Sequence, residues 1–483
     1  MPGIGIGVGV GLAQQKGGGA WWLPAAPVVP TPDGGTIYVS GASPTALPAG
    51  NDTTGNGSAA SPYATLSKAI STIATSGNKL VLCDGTFAES TNGGGRWIPN
   101  APFTAPVVFR SYSGSPDGFI ISNSSGTTGV INPRLYPVSN LWIVNATLRP
   151  TTDTHTILYL PLDGTNVVTG LNLADSVIEV RSSTGSLAAF FASTDTALSG
   201  LQFIRCSFKR VAGASTAANP NILAITPSTL TSSAFQPHAS IGIWYCNTTD
   251  GQWNAFAANL GGIDGLDIIG STITASVYAL MVGRDTAGGT FPQVTNARVW
   301  GNTLEATGAN GHGLEIGENV IGADVAKNIV SSSLQGIVVK GASGAAVRLN
   351  TVTLTNSVNG TALYAKASQD TAFTQNTVEI GGTGAATAFR EGVDGSTKAG
   401  NTTLTGNTFQ ISGASATALQ WADGTGSTGG AVSNDNNITL TDGASLGSLR
   451  GTAVSTQSDL PAAWAAHGLS GDDPSNDSRS LVA

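Results

Sequence analysis

From residue 139 onward the chain alternates apolar and polar positions in short bursts, each broken by a small polar residue and then resumed. The frame is shared by "SNLWIVNATLRP" at 139, "GLNLADSVIEV" at 170, "GLQFIRCSFKR" at 200, "IGIWYCNTTD" at 241, "GLDIIGSTITA" at 265 and "NARVWGNTLEA" at 296. It continues through "ADVAKNIVSS" at 323, "AAVRLNTVTLT" at 345, "TAFTQNTVEIG" at 371, "TTLTGNTFQIS" at 402 and "VSNDNNITLT" at 432. A period of two marks a strand with one buried face, and a frame that recurs along the chain marks stacked supersecondary units. The breaks fall at Asn145, Asp175, Cys206, Asn247, Ser271, Asn302, Asn328, Asn350, Asn376, Asn407 and Asn437. Asparagine suits such a break because it tolerates the left-handed backbone conformation and its amide bonds locally. Stacked coils would set these amides in a ladder.

A second strand family lies between the frames: "SLAAFFAS" at 186, "VYALMVGRD" at 277, "HGLEIGEN" at 312, "QGIVVKGA" at 335, "TALYAKAS" at 361, "TAFREGVD" at 387 and "TALQWADG" at 417. Each coil then supplies about three short strands. The pattern predicts an all-β chain, a right-handed parallel β-helix whose coils pair with neighbours about 4.8 Å above and below. Propeller blades need about 40 residues and four antiparallel strands, more than most of these intervals offer. The open ends of such a rod need covers. Residues 61–76, "SPYATLSKAISTIATS", read as a capping helix, with Ser61 as N-cap, Pro62 at the first helical position, and Leu66, Ile70 and Ile73 on one face. The resulting division is 1–35 as attachment segment and linker, 36–454 as β-helix, and 455–483 as a C-terminal extension with a short helix near 460–467.

Composition narrows the partners. Only 10% of the residues are charged, 64 are glycine, and the formal net charge is −8. No run of Lys and Arg exists to neutralise phosphates, which argues against nucleic acid and anionic membrane. Cys83, Cys206 and Cys246 are odd in number and widely spaced, so they read as buried apolar side chains and not as a disulfide framework or a zinc site. No cofactor or metal motif is visible. The leader "MPGIGIGVGVGL" lacks a charged n-region and is too short and glycine-rich for a membrane span. Its alternation predicts an attachment segment that orders on a partner, with Trp21 and Trp22 as an anchor beside the proline-rich "LPAAPVVP".

The stretch "IYVSGASPTALPAGNDTTGNGSAASPYATLSKAISTI", followed by "KLVLCDGTFAES", resembles the start of pectate-lyase-like parallel β-helix proteins, and the likeness runs over about 36–450. That superfamily includes polysaccharide lyases, polygalacturonases and bacteriophage tailspikes, so the resemblance implies the fold and leaves two functional classes open. "GHGLEIGENVIG" is similar to the Gly-His-Gly motif of polygalacturonase-type glycoside hydrolases and matches at His312. "QGIVVKG" puts Lys340 where that family has a substrate-binding lysine, but Val338 replaces its arginine, and "SVYALMVGRD" occupies the place of its paired aspartates.

Two sets of site residues follow. Asp264, Asp267, Asp285, His312 and Glu315 are the catalytic candidates, since glycoside cleavage needs carboxyl groups projecting from neighbouring coils. The glycines around His312 make an ordinary bend residue the rival reading. Trp244, Tyr245 and Trp253, whose flat rings suit sugar faces, are glycan-binding candidates together with Lys340. The expected function is a bacteriophage virion structural protein, a tailspike-like spike or fibre. It would be a homotrimer located on the virion, joined to other virion proteins through its N-terminal segment and binding host surface polysaccharide. The alternative is a polysaccharide-degrading enzyme on the same rod.

Overall fold

A computed structural model describes residues 23–88, 102–122, 129–131, 138–151, 156–160, 168–180, 190–193, 198–210, 221–226, 238–248, 255–260, 262–283, 293–355, 359–381, 384–394, 397–421, 432–449, 452–454 and 478–481. The chain is a right-handed parallel β-helix with three sheets. The first sheet starts at Thr36–Ser40 and Lys79–Ala88 and passes through Val138–Val144, His238–Trp244, Ile263–Ile269 and Arg298–Trp300 to Val432–Asn434. Lys79–Ala88 spans a corner: its first half pairs with Val107–Ser111 and its second half with Phe119–Ser122, which opens the second sheet. The third sheet runs coil by coil from Gly129–Ile131 to Ser445–Leu449, where the antiparallel strand Thr452–Val454 covers its exposed edge. Beyond residue 454, Ser478–Leu481 adds a parallel strand to Asn437–Thr441 on the second sheet.

The period-two pattern becomes an interior of stacked columns, because successive side chains on a strand point to opposite faces. Leu171, Leu173, Phe203, Ile243, Ile268, Val299 and Val325 fill it from the first sheet, and Leu148, Ile178, Phe208, Ile273, Leu304 and Val330 from the second. Leu280, Leu314, Ile337, Leu363 and Phe389 stand in register on the third. A parallel third-sheet column, Val282, Ile316, Val339 and Ala365, continues inward to the fully buried Glu391.

The asparagine ladder exists, one residue out of phase with part of the sequence expectation. Asn302 donates its backbone N–H and its amide to Asn328 Oδ1, both at 2.9 Å, and the same double bond repeats from Asn328 to Asn350, Asn350 to Asn376, Asn376 to Asn407 and Asn407 to Asn436. Asn436, not Asn437, is the last member. The left-handed residue is the one before the buried amide: Gly301, Lys327, Leu349, Gln375, Gly406 and Asp435 all have φ near +55° to +65°. Toward the N-terminus the buried column continues as Ser271, Cys246, Cys206, Ser176 and Ala146, with Ser271 Oγ accepting from Cys246 N at 3.1 Å and Cys246 Sγ from Cys206 N at 3.4 Å. Asn145 and Asp175 belong to the left-handed position (φ 52° for both), and Asn247 lies beyond the corner on the second sheet. All three cysteines are buried and free.

The helix, α1, spans Leu66–Thr72. Thr65, not Ser61, is its N-cap, accepting from Lys68 N at 3.1 Å, while Ser61 pairs with Ser58 in a bridge before it. Leu66, Ala69 and Ile70 are buried with Val39 and Val81 of the first coils, so the apolar face covers the rod end as the pattern predicted. Asp84 locks this end. Its carboxylate accepts from the backbone N–H of Thr45, Ala46 and Leu47 and from the Thr45 hydroxyl, at 2.6–3.1 Å. Burial pushes the Asp84 carboxyl up, but these donors outweigh it and hold it below the usual range.

Candidate functional site

The outward columns of the first sheet carry the densest chemistry. Gln202, Gly242, Asp267, Arg298 and Asp324 follow one another in register on adjacent coils, and so do Ile204, Trp244, Ile269, Trp300 and Ala326. Because coils repeat about every 4.8 Å, residues far apart in sequence stand side by side. Asp267 and Arg298 form a two-pronged pair at 2.6 and 2.7 Å, and Asp324 holds Arg348 likewise at 3.0 and 2.7 Å. The guanidinium groups of Arg298 and Arg348 lie 5.6 and 5.8 Å from the Trp300 ring. Gly242 has no side chain, and a hydrogen bond from Trp244 Nε1 to Gln202 Oε1 at 2.7 Å fills its place: a Cβ there would meet these two atoms at 2.1 and 2.0 Å.

These residues border a groove of about 560 Å³, lined by Gln202, Ser240, Trp244, Asp267, Asn296 and Arg298, with Pro27 against it. Its edge is a column of left-handed residues, Ser240, Gly265, Asn296 and Gly322. The bend turns Asn296 toward Asp264, whose carboxylate accepts from the Asn296 amide at 2.6 Å and the Thr295 hydroxyl at 2.9 Å. Those two bonds hold the Asp264 carboxyl below its usual range.

Pro27 belongs to a strap from the N-terminal side of the rod. Leu23, Ala26 and Val29 pack on an apolar stripe on the outside of the first sheet, made by Val108, Trp142, Val144, Ala174, Ile204 and Trp244 with neighbours. Tyr245, 37% exposed, donates its hydroxyl to Pro24 O at 2.8 Å. At the other end Asn78 donates to Asp33 Oδ1 at 2.6 Å, and Lys79 Nζ binds Gly34 O. Trp244 is 7% exposed, beneath this strap and at the groove wall. Tyr245 therefore spends its hydroxyl on the strap.

His312 and Glu315 stand apart from the groove, on the third sheet. Gly313 and Leu314 both turn inward: a Cβ on Gly313 would lie 2.1 Å from Val330 Cγ1, and Leu314 is in the core. This double inward turn leaves His312 and Glu315 together on the outer face, with Nδ1 3.3 Å from Oε2. The Tyr278 ring meets the imidazole edge-on at 4.5 Å. Glu315 is 2% exposed, and among the described residues its Oε1 meets no hydrogen-bond partner. Further along this sheet Lys340 and Lys366 reach Asp394 at 3.4 and 3.2 Å.

The structure thus brings Asp264, Asp267 and Trp244 to one site and His312 with Glu315 to another, and puts Lys340 in a third cluster. Asp285 and Trp253 lie outside the described residues. Sequence reasoning missed Gln202, Asn296, Arg298, Asp324, Trp300 and Pro27. For Gln202, Arg298 and Asp324 the signal that could have found them is the alignment itself, which stacks 202, 242, 267, 298 and 324 at one frame position; Pro27 carries no such signal. Among the described residues no group of three or more His, Cys, Asp or Glu side chains could hold a metal, and no helix is long and apolar enough to cross a membrane.

No family model and no curated protein matches the chain. Among solved structures it is similar to tailspike protein 3 of bacteriophage CBA120, with 11% identity and a TM-score of 0.47 over 82% of this chain and 57% of that one. It is also similar to a GH136 lacto-N-biosidase from Eubacterium ramulus, with 11% identity and a TM-score of 0.42 over 93% and 68%. A third likeness is to the A-module of a mannuronan C-5 epimerase from Azotobacter vinelandii, with 12% identity and a TM-score of 0.38 over 86% and 95%. The chain spans little more than half the length of the tailspike. The site is therefore argued from its own geometry.

Proposed function

We propose that this chain is a bacteriophage virion structural protein, a tailspike-like β-helical spike, and that it holds host surface glycan in the first-sheet groove. The observation that carries the glycan part is the groove lining: Trp244 beside Gln202, Asn296, Ser240 and the Asp267–Arg298 pair. Ring faces stack on the apolar side of a sugar, and planar amide, carboxylate and guanidinium groups match its hydroxyls. The aspartates favour holding over cutting. Hydrolysis needs two carboxyl groups free to meet the scissile bond, whereas Asp267 and Asp324 are each held in a two-pronged pair by an arginine and Asp264 is held by Asn296 and Thr295. The virion part is supported by the low-charge rod, suited to side-by-side trimerisation, and by the Gly/Ile/Val leader.

The test is a panel of purified bacterial capsular and O-antigen polysaccharides. At least one should bind, and Trp244→Ala and Asn296→Ala should each weaken it tenfold or more when measured well below each variant's own melting temperature, which Trp244→Ala lowers because that ring is 7% exposed. Full binding by both variants would contradict the groove. Light scattering of the purified chain should give three times its monomer mass, and antibody labelling should place it on phage particles.

A second reading rests on the His312–Glu315 pair, where a buried carboxyl group, one of its oxygens unpartnered among the described residues, adjoins an imidazole, an arrangement suited to proton transfer. It makes the chain a polysaccharide-degrading enzyme. New reducing ends or unsaturated uronates, lost in His312→Ala, would establish it.

A further inference from the structure

The strap is built to leave. Prolines stand at 24, 27, 30 and 32, and proline has no backbone N–H and favours the polyproline II helix, three residues per turn with a solvated backbone. The side chains facing the sheet, Leu23, Ala26 and Val29, are spaced by that turn, while Val28 between them is 84% exposed. Among the described residues no backbone-to-backbone hydrogen bond joins residues 23–34 to the sheet. The strap is held by apolar contact and by side-chain bonds near its ends.

Its length matches its track. Leu23 sits at Gly301, where a Cβ would come within 2.6 Å of the leucine, and Asp33 sits at Asn78. At about 3.1 Å per residue that stretch reaches about 31 Å. The seven coil steps between these anchors, at about 4.8 Å each, span about 34 Å. One strap turn therefore advances nearly two coils.

Beneath the strap lie outward tryptophans on two adjacent columns. Trp244 and Trp300 project outward on one column, two coils apart, and Trp142 stands nearer the N-terminus on the adjacent column that carries Gln202 and Gly242. Aromatic tracks bind polyproline II segments, and flat rings in a row equally suit the faces of successive sugars. Trp300 Nε1 is buried there, and among the described residues it meets no hydrogen-bond partner. A donor under the strap is left unused, and a hydroxyl-bearing ligand would satisfy it.

We propose that residues 23–29 are a displaceable cover, and that a saccharide chain seated in the groove extends along Trp244 and Trp300 only by taking the strap's place. This rests on the reading that the groove binds glycan, and it makes extension of the glycan over Trp244 and Trp300 mutually exclusive with strap docking. The same contact links the glycan site to the N-terminal end of the chain.

The experiment compares the full-length chain with a variant carrying Leu23→Asp and Val29→Asp, both on the sheet-facing side of the strap and outside the interior of the rod. Three quantities are measured: melting temperature, acrylamide quenching of tryptophan fluorescence, and affinity for the polysaccharide panel. The expected result is unchanged melting, stronger quenching, and affinity raised at least fivefold for the polysaccharide that binds the unaltered chain. A synthetic peptide of residues 23–34 added to the variant should reverse both the quenching and the gain. Stronger quenching with equal or weaker glycan affinity would overturn the cover and leave the groove reading standing. No binding of any panel member by either protein would overturn both.

Discussion

At the residue scale, single side chains matter according to what the next coil asks of them. Asp84 is a case of stability. Its folded carboxyl lies below the ordinary value because three backbone N–H groups and a hydroxyl favour the charged form. A depressed carboxyl contributes stability that is fully present above its unfolded value, near pH 3.9, and is lost as the pH falls from there through the folded value. Asp84→Asn should therefore lower stability at neutral pH by about 2–3 kcal/mol and flatten the acid limb of a pH–melting curve. Gly242 is a case of function. An alanine there meets Gln202 Oε1 and Trp244 Nε1, so Gly242→Ala should break their bond and weaken glycan binding about tenfold by titration, with little change in melting because the contact is on the outer face.

At the element scale, the turn ladder makes the stack cooperative. Asn350 accepts two bonds from Asn328 and donates through its amide to Asn376 and Val325. Asn350→Ala strands a buried backbone N–H and an amide at once, a loss on the order of 3–5 kcal/mol, which a denaturant melt would measure. Asn350→Ser should lose less, because Ser271 performs the accepting role at its own coil. Such strands were legible from the sequence because a period of two with recurring breaks has few other solutions. The phase of the break was not fully legible. The left-handed residue and the buried amide are adjacent, and both positions accept asparagine, so Asn145 and Asn350 look alike in sequence but do different jobs. The start of α1 was misplaced for a similar reason: Ser61–Pro62 carries a start signal, but that stretch is used by a bridge to Ser58, and Thr65 caps the helix.

At the scale of the whole molecule, the site is a product of stacking, which explains how much of it could be read beforehand. Trp244 and Asp267 were visible by their chemistry. Arg298 and Asp324 were not, because their partners are one coil distant, 31 and 24 residues along the chain. Pro27 was invisible for a stronger reason, since the strap that carries it meets Tyr245 across 221 residues. The central claim is that glycan lies on this face of the rod. Hydrogen exchange with and without the bound polysaccharide tests it most directly. The account predicts new protection in the strands Ile263–Ile269 and Arg298–Trp300. Protection confined to His312–Ile316 and Gln335–Lys340 on the third sheet would contradict it.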